Sequence, residues 1–192
     1  MTYHNKQFFI SSKFLAIFFI AALSISCTSS PKYDISMPEI TISQASEKEL
    51  EKFGRNFYEN PYLEPITLLG GKKYEFFVLR IDLNIKKETD IEIEARAEVP
   101  QGAATPRALA RNQLTDFWEL LSDDSVRVNQ YQKKKTTIDL TTCPDFRFRA
   151  KPGRKTYYLV FAGKYPIKKP VSYRINVYFN NEQIIAFDHT VE

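Results

Sequence analysis

A strict alternation of apolar and polar residues is the feature that most limits the folds open to this chain. From Phe77 to Ile85 every second residue is apolar, and the alternation returns from Ile91 to Val99. Period two is the spacing of a β-strand with one buried and one solvent-facing side. The two segments predict a hairpin with a charged tip. We expect glutamates of the second strand to pair with Arg80 and Lys86 across it, and prefer this to a catalytic carboxylate pair.

Further short β-like segments follow, at 126–128, 136–142, 146–149, 156–162, 171–179 and 184–187. With the first two they make about eight strands without the strand–helix rhythm of a parallel sheet. Hydrophobic residues make up 43% of the chain and aromatic residues 14%, which is typical of a folded protein. We therefore predict a mainly β fold over 62–192. The expected architecture is a two-sheet antiparallel β-sandwich of transthyretin or Ig type, with one or two short helices.

Two segments have the spacing of helices. Ser46 and Glu49 have capping-box spacing, and the apolar residues after them predict a short amphipathic helix over 46–61. This helix would pack on the domain or, alternatively, contact a membrane surface. The second helix is expected to begin at Thr105-Pro106, and Trp118 is its predicted core residue. Its apolar stripe consists of Ala110, Leu114, Phe117, Trp118 and Leu121.

The first 26 residues predict export. Lys6 and Lys13 come before an apolar run from Phe14 to Leu23, and Ser24–Ser26 leads to Cys27. The run is too short for a bilayer span, which takes about 20 residues. A small residue before a cysteine is similar to the lipobox of bacterial lipoproteins, so Cys27 is the predicted site of acylation. Cleavage by ordinary signal peptidase, which would release a soluble protein, is the alternative.

Residues 27–45 are predicted to tether the domain to the membrane, because the stretch is polar and contains Pro31 and Pro38. Thr28 stands where some lipoproteins carry the aspartate that retains them at the inner membrane. We therefore expect a lipid anchor in the outer membrane, with the domain facing the periplasm. Membrane lipid is then one partner, through acylated Cys27, and the exported location disfavours nucleic acid.

Charge is distributed unevenly along the chain. Between Arg127 and Arg174 there are 13 Lys or Arg residues and two acids, whereas the stretch from Cys27 to Val126 has more acids than bases. Most of these cations are expected on solvated strand faces. A basic face would nevertheless attract anionic partners. Its candidate residues are Lys133, Lys134, Lys135, Arg147, Arg149, Lys151, Arg154 and Lys155.

The residues that could support catalysis are few. After residue 26 the chain has one histidine, His189, and beyond Cys27 one thiol, Cys143. These cannot build a four-ligand zinc site of the usual kind. Cys143 and His189 could in principle form a nucleophile and its base. Cys143 precedes a proline at the end of a Thr-rich segment, however, which favours a buried structural thiol. We predict no enzyme activity, no metal and no cofactor.

The order of these parts resembles that of a known family. A cysteine at the end of a signal, a tether, two strands and a helix with Asp116-Phe-Trp-Glu-Leu120 are similar to TssJ, the outer-membrane lipoprotein of type VI secretion systems. Pro152-Gly153 followed by the apolar strand Tyr157–Gly163 resembles the family's Pro-Gly turn and central strand. Tyr173–Val177 and the turn at Asn180-Asn181 fit as well, so the resemblance covers roughly residues 74–187.

The resemblance implies a function. A TssJ-like protein would be a transthyretin-like sandwich that holds the secretion membrane complex at the outer membrane. The loop between its first two strands would contact the periplasmic part of the inner-membrane component TssM. In this chain that loop corresponds to Lys86, Lys87, Glu88, Thr89 and Asp90. Our leading hypothesis is an envelope lipoprotein that serves as a docking module. The alternative is a surface-exposed lipoprotein that binds anionic glycans, lipids or host ligands through its basic face.

Overall fold

The computed structural model describes residues 37–56, 58–64, 73–121 and 128–192, with backbone alone for Val128 and Asn129. Within these ranges the protein is mainly β, with two four-stranded antiparallel sheets. Sheet one has the order β1-β2-β6-β4, and sheet two has the order β5-β3-β7-β8. The strands are β1 Glu39–Gln44, β2 Tyr74–Ile85, β3 Thr89–Glu98, β4 Arg107–Leu109, β5 Arg147–Ala150, β6 Gly153–Lys164, β7 Val171–Phe179 and β8 Glu182–Val191. The predicted β-sandwich is confirmed.

The main core lies between the two sheets. Alternate residues of the central strands point inward, such as Leu79 and Ile81 on β2 and Ile175 and Val177 on β7, and all four are fully buried. Apolar area removed from water contributes about 25 cal/mol per Å², so this layer dominates the stability of the sandwich. The turn between β7 and β8 is also as predicted. Asn180 and Asn181 both have positive φ, the conformation that a two-residue hairpin turn requires.

The predicted hairpin of the first two long strands is wrong. β2 pairs with β1 and β6, whereas β3 pairs with β5 and β7 in the other sheet. The chain therefore crosses between sheets after Ile85. The inward residues of β2 and β3 face the same core from opposite sides, and period two alone cannot distinguish that arrangement from pairing within one sheet. The expected pairs of Arg80 and Lys86 with glutamates of β3 are wrong for the same reason.

A second, smaller core lies on the outer face of sheet one. It is covered by three helices, α1 Glu47–Leu50, α2 Arg111–Leu120 and α3 Val128–Thr141, and by a 3₁₀ turn at Glu51–Phe53. Trp118 is fully buried there, as predicted, and its indole N–H donates to the Pro61 carbonyl at 3.0 Å. Tyr62 is also buried, and its hydroxyl lies 2.8 Å from that of Thr142. These contacts hold the helices and the 58–64 segment against the sheet.

The two predicted helices are shorter than expected. The first has the predicted Ser46 cap, but it ends at Leu50 and not at residue 61. Gly54 has a φ of 133°, and the buried Asn60 amide donates to the carbonyls of Leu50 and Gly54, which folds the chain back. The second begins at Arg111, because residues 107–109 form β4 and pair with β6.

The predicted strand at 136–142 is also wrong, because residues 128–141 form α3. Most of the strand predicted at 126–128 lies outside the described residues, and Val128 belongs to this helix. On this helix Lys134 and Ile138 are buried, and so is Thr142 directly after it, which is a spacing of four, whereas Leu140 is 74% exposed. In a strand Ile138 and Leu140 would share one face. The alternation was too short to exclude helical spacing.

Two predicted boundaries change as well. The predicted tether extends to residue 45, but Glu39–Gln44 forms β1 and pairs with β2 from Glu39↔Asn84 to Gln44↔Leu79. The sandwich accordingly begins at residue 39 and not at 62. Among the described residues, no helix is long and apolar enough to cross a bilayer. Cys27 and the signal lie outside the described residues.

Candidate binding surfaces

The sandwich has two ends, which the twelve-residue strand β2 connects. At one end Ile85 pairs with Gly153, and β1 begins beside them with Glu39 opposite Asn84. We call this the entry end, because β1, the first described strand, begins here. At the other, distal end, Tyr74 pairs with Lys164. Strand rise of about 3.3 Å per residue places these ends about 35 Å apart.

The predicted partner loop lies at the entry end. Lys86, Lys87 and Glu88 connect the sheets, whereas Thr89 and Asp90 begin β3, and Thr89 is buried. The charges of the loop are largely matched by neighbours. Lys86 pairs with Glu39 at 3.4 Å, and Arg149 lies between Glu88 at 3.6 Å and Asp90 at 4.0 Å.

The structure does not place the predicted basic residues on one face. Arg147 and Arg149 lie on β5, and Lys151, Arg154 and Lys155 lie in or beside the β5–β6 turn, all of them at or near the entry end. Arg147 forms an ion pair with Glu92 of the neighbouring strand. The fold thus brings the predicted loop and these five cations together through the pairings Thr89↔Ala150 and Ile85↔Gly153.

The remaining basic residues, Lys133, Lys134 and Lys135, lie on α3. Lys133 pairs with Glu59 at 2.8 Å. Lys134 is buried, with its ammonium 3.2 Å from the centroid of the Trp118 ring, so it is part of the second core and not of a binding face. Lys135 is exposed. The basic residues of α3 therefore do not extend the group of five cations at the entry end.

A polar network lies where α1 meets the outer face of sheet one. The Tyr158 hydroxyl donates to Glu49 at 2.6 Å, and Arg80 donates to Glu49 at 3.1 Å and to Asp82 at 3.0 Å. Burial opposes ionisation of Asp82, but hydrogen bonds from Arg80 and Thr156 lower its pKa. Burial and the Glu49 carboxylate raise the pKa of Tyr158. These groups partner one another and hold α1 on the sheet.

An open cleft of about 420 Å³ lies beside this network, and its lining reaches the entry end at Glu39, Arg154 and Lys155. Glu39 accepts a hydrogen bond from Asn84 at 2.7 Å, and the bonds from Asn84 and Lys86 lower its pKa. The carboxylates in the cleft are thus ionised and paired. Arg154 and Lys155 make no ion pair with a described residue, so the cleft presents cations to solvent.

Cys143 and His189 contact different residues. The Cys143 thiol is fully buried and donates to the Asp145 carbonyl at 3.3 Å, and burial raises its pKa to about 12. The His189 ring stacks on Phe77 at 5.2 Å and on Phe187 at 6.3 Å. A nucleophile needs a base within hydrogen-bonding reach and a lowered pKa, and the contacts of Cys143 supply neither.

The sequence did not predict a groove at the distal end. It has a volume of about 380 Å³ and runs between α2 and the short edge strand β4. Apolar lining comes from Tyr74, Leu109, Phe117, Leu120 and Ala162, and polar lining from Arg107, Gln113, Asp116 and Lys164. Leu120 is 84% exposed at its edge. The one signal in the sequence was that Leu120 falls outside the apolar stripe of its helix.

Within the described ranges, no group of His, Cys, Asp or Glu is arranged to hold a metal ion. A scan against protein-family models and searches of curated proteins and of solved structures found no match to this chain. The resemblance to TssJ therefore stays a prediction.

Proposed function

We propose that this protein is a lipid-anchored, non-catalytic docking module of the bacterial envelope, and that it binds another envelope protein in the distal groove. The observation that carries the proposal is Leu120, a large apolar side chain that is 84% exposed beside the aromatic rings of Tyr74 and Phe117. Apolar side chains clustered at a concave surface are typical of protein-binding sites.

The groove favours an extended segment of the partner. β4 pairs with β6 on one side, and no described strand pairs with its other side, so its backbone groups there can accept an added strand. A segment that ran along Arg107–Leu109 would place alternate side chains against Phe117 and Leu120. Arg107 and Lys164 outnumber the acid of the lining, Asp116, so we expect the segment to be apolar with flanking carboxylates.

A narrower version of this proposal follows from the resemblance to TssJ. The partner is then the periplasmic part of a TssM-like inner-membrane protein, and the contact is the loop of Lys86, Lys87, Glu88, Thr89 and Asp90. The outer-membrane anchor at Cys27 holds that complex in place. The groove and the loop lie at opposite ends of the sandwich, so variants can separate them.

The test is recovery of the partner from solubilised envelopes with the full lipidated chain as bait, followed by binding measurements with the identified, purified partner. Leu120→Asp should weaken binding tenfold or more, since loss of a central apolar contact costs about 1–3 kcal/mol. Leu140→Asp is the matched control, because Leu140 is also exposed but lies outside the groove. If Leu120→Asp binds the partner with undiminished affinity, the distal groove is not the binding site. If charge reversal at Lys86, Lys87 and Glu88 abolishes binding while Leu120→Asp does not, the partner binds the loop and not the groove.

A further inference from the structure

The entry end carries cations that its acids do not neutralise. Glu39 pairs with Lys86, Glu88 and Asp90 share Arg149, and Glu92 pairs with Arg147. Among the described residues, four exposed cations at this end form no ion pair with a carboxylate. They are here called the entry-end cations: Lys87, Lys151, Arg154 and Lys155.

Charge alone does not single out this end. The distal end also exposes lysines: Lys164 at the end of β6, and Lys168 and Lys169 in the loop between β6 and β7. Chain connectivity distinguishes the two ends, because Glu39 begins β1 beside Asn84. The residues between Cys27 and Glu39 can span at most about 40 Å when fully extended. If Cys27 is acylated, as the proposed function holds, the bilayer is always within this reach of the entry-end cations.

We propose that the entry-end cations bind anionic phospholipid headgroups of the leaflet that holds the acyl chains. Exposed lysines and arginines next to a membrane are attracted by its negative surface potential, and the acyl tether raises their local concentration at that surface. The contact orients the sandwich on the bilayer. The distal groove, about 35 Å away along β2, then faces away from the membrane and is open to a partner.

The experiment measures orientation on vesicles. The full lipidated chain is reconstituted into phosphatidylcholine vesicles, or into equimolar phosphatidylcholine and phosphatidylglycerol vesicles, that carry a headgroup acceptor dye. A donor dye is attached at Glu182→Cys, near the entry end, or at Glu192→Cys, near the distal end. Both positions are exposed acids in or just after β8. In anionic vesicles the entry label should transfer energy more efficiently than the distal label. In neutral vesicles the difference should shrink.

Two triple charge reversals serve as a matched pair. Lys151→Glu, Arg154→Glu and Lys155→Glu should abolish the orientation, whereas Lys164→Glu, Lys168→Glu and Lys169→Glu should leave it unchanged. High salt should abolish it as well, because exposed charges are screened. Equal transfer from both labels on anionic vesicles, or equal sensitivity to both triple variants, would overturn the proposal.

Three further outcomes separate this proposal from the proposed function and from binding of an anionic glycan. If mass spectrometry finds that Cys27 is unmodified, both the lipid anchor in the proposed function and this inference are wrong. Acylated Cys27 without orientation overturns this inference alone. The protein could instead bind dextran sulfate through the entry-end cations and show no orientation on anionic vesicles. That result would overturn binding to the bilayer and favour an anionic glycan as the ligand.

Discussion

Cys143 shows at the scale of one residue how burial determines chemistry in this protein. The thiol lies in the main core, and its backbone N–H donates to the Tyr158 carbonyl at 2.9 Å while its carbonyl accepts from Arg111 at 2.9 Å. It therefore joins the end of α3 to sheet one and to the start of α2. The sequence favoured a buried structural thiol because the residue precedes a proline, and the observed environment agrees with that interpretation.

We expect the Cys143 thiol to resist alkylation in the native protein. A free cysteine becomes substantially ionised above about pH 8.5, and the thiolate is the reactive form. Because burial raises the pKa of Cys143 to about 12, native protein should not react with iodoacetamide between about pH 7 and 10, whereas urea-unfolded protein should. The measurement is mass spectrometry of the modified peptide, with the unfolded chain as control. Rapid native labelling at pH 7 would instead indicate an accessible, activated thiol.

At the scale of elements, α3 shows where sequence patterns are ambiguous. Thr136, Ile138, Leu140 and Thr142 alternate as a strand would, but Lys134, Ile138 and Thr142 also repeat at helical spacing. The helical pattern is hard to recognise because one of its buried residues is a lysine. Lys134 is buried against the Trp118 ring, which belongs to a different helix. The residues around Lys134 in the sequence do not indicate this contact.

A pair of substitutions distinguishes the two assignments of this segment. In α3, Ile138 is fully buried and Leu140 is 74% exposed. Ile138→Ala should lower the free energy of unfolding by about 2–5 kcal/mol, through lost apolar contacts and the cavity that remains. Leu140→Ala should change it by less than about 0.5 kcal/mol. The measurement is urea unfolding followed by circular dichroism. Similar losses for both variants would mean that the two side chains share a buried face, as in a strand.

For the strands too, the sequence predicts some features and leaves others undetermined. The alternation at 77–85, 91–99 and 171–179 identified which residues point inward, because that depends only on period two. It did not identify the neighbours of each strand, since β2 pairs with a strand about 80 residues away in sequence and β3 lies in the opposite sheet. β1 and β4 were missed, because Glu39–Gln44 follows a proline-containing polar stretch and Arg107–Leu109 is only three residues long.

At the scale of the whole molecule, the two sheets give the protein an entry end and a distal end with different surfaces. The predicted loop and five of the predicted basic residues share the entry end, which no property of the sequence indicated, since residues 86–90 and 147–155 lie far apart in the chain. The distal groove combines residues from β2, β4, α2 and β6. Because the fold brings together residues that are distant in the chain, the groove could not be predicted from the sequence.

Photo-crosslinking in living cells tests the central claim most directly. A photoreactive phenylalanine analogue is placed at position 120, in the groove, or at position 140, which is also an exposed leucine but lies outside the groove. We predict that position 120 crosslinks to one envelope protein and that position 140 does not. The crosslinked peptide of the partner should be an extended apolar segment with acidic neighbours. A partner captured at both positions alike, or at residue 87 in the loop but not at 120, would contradict docking at the distal groove.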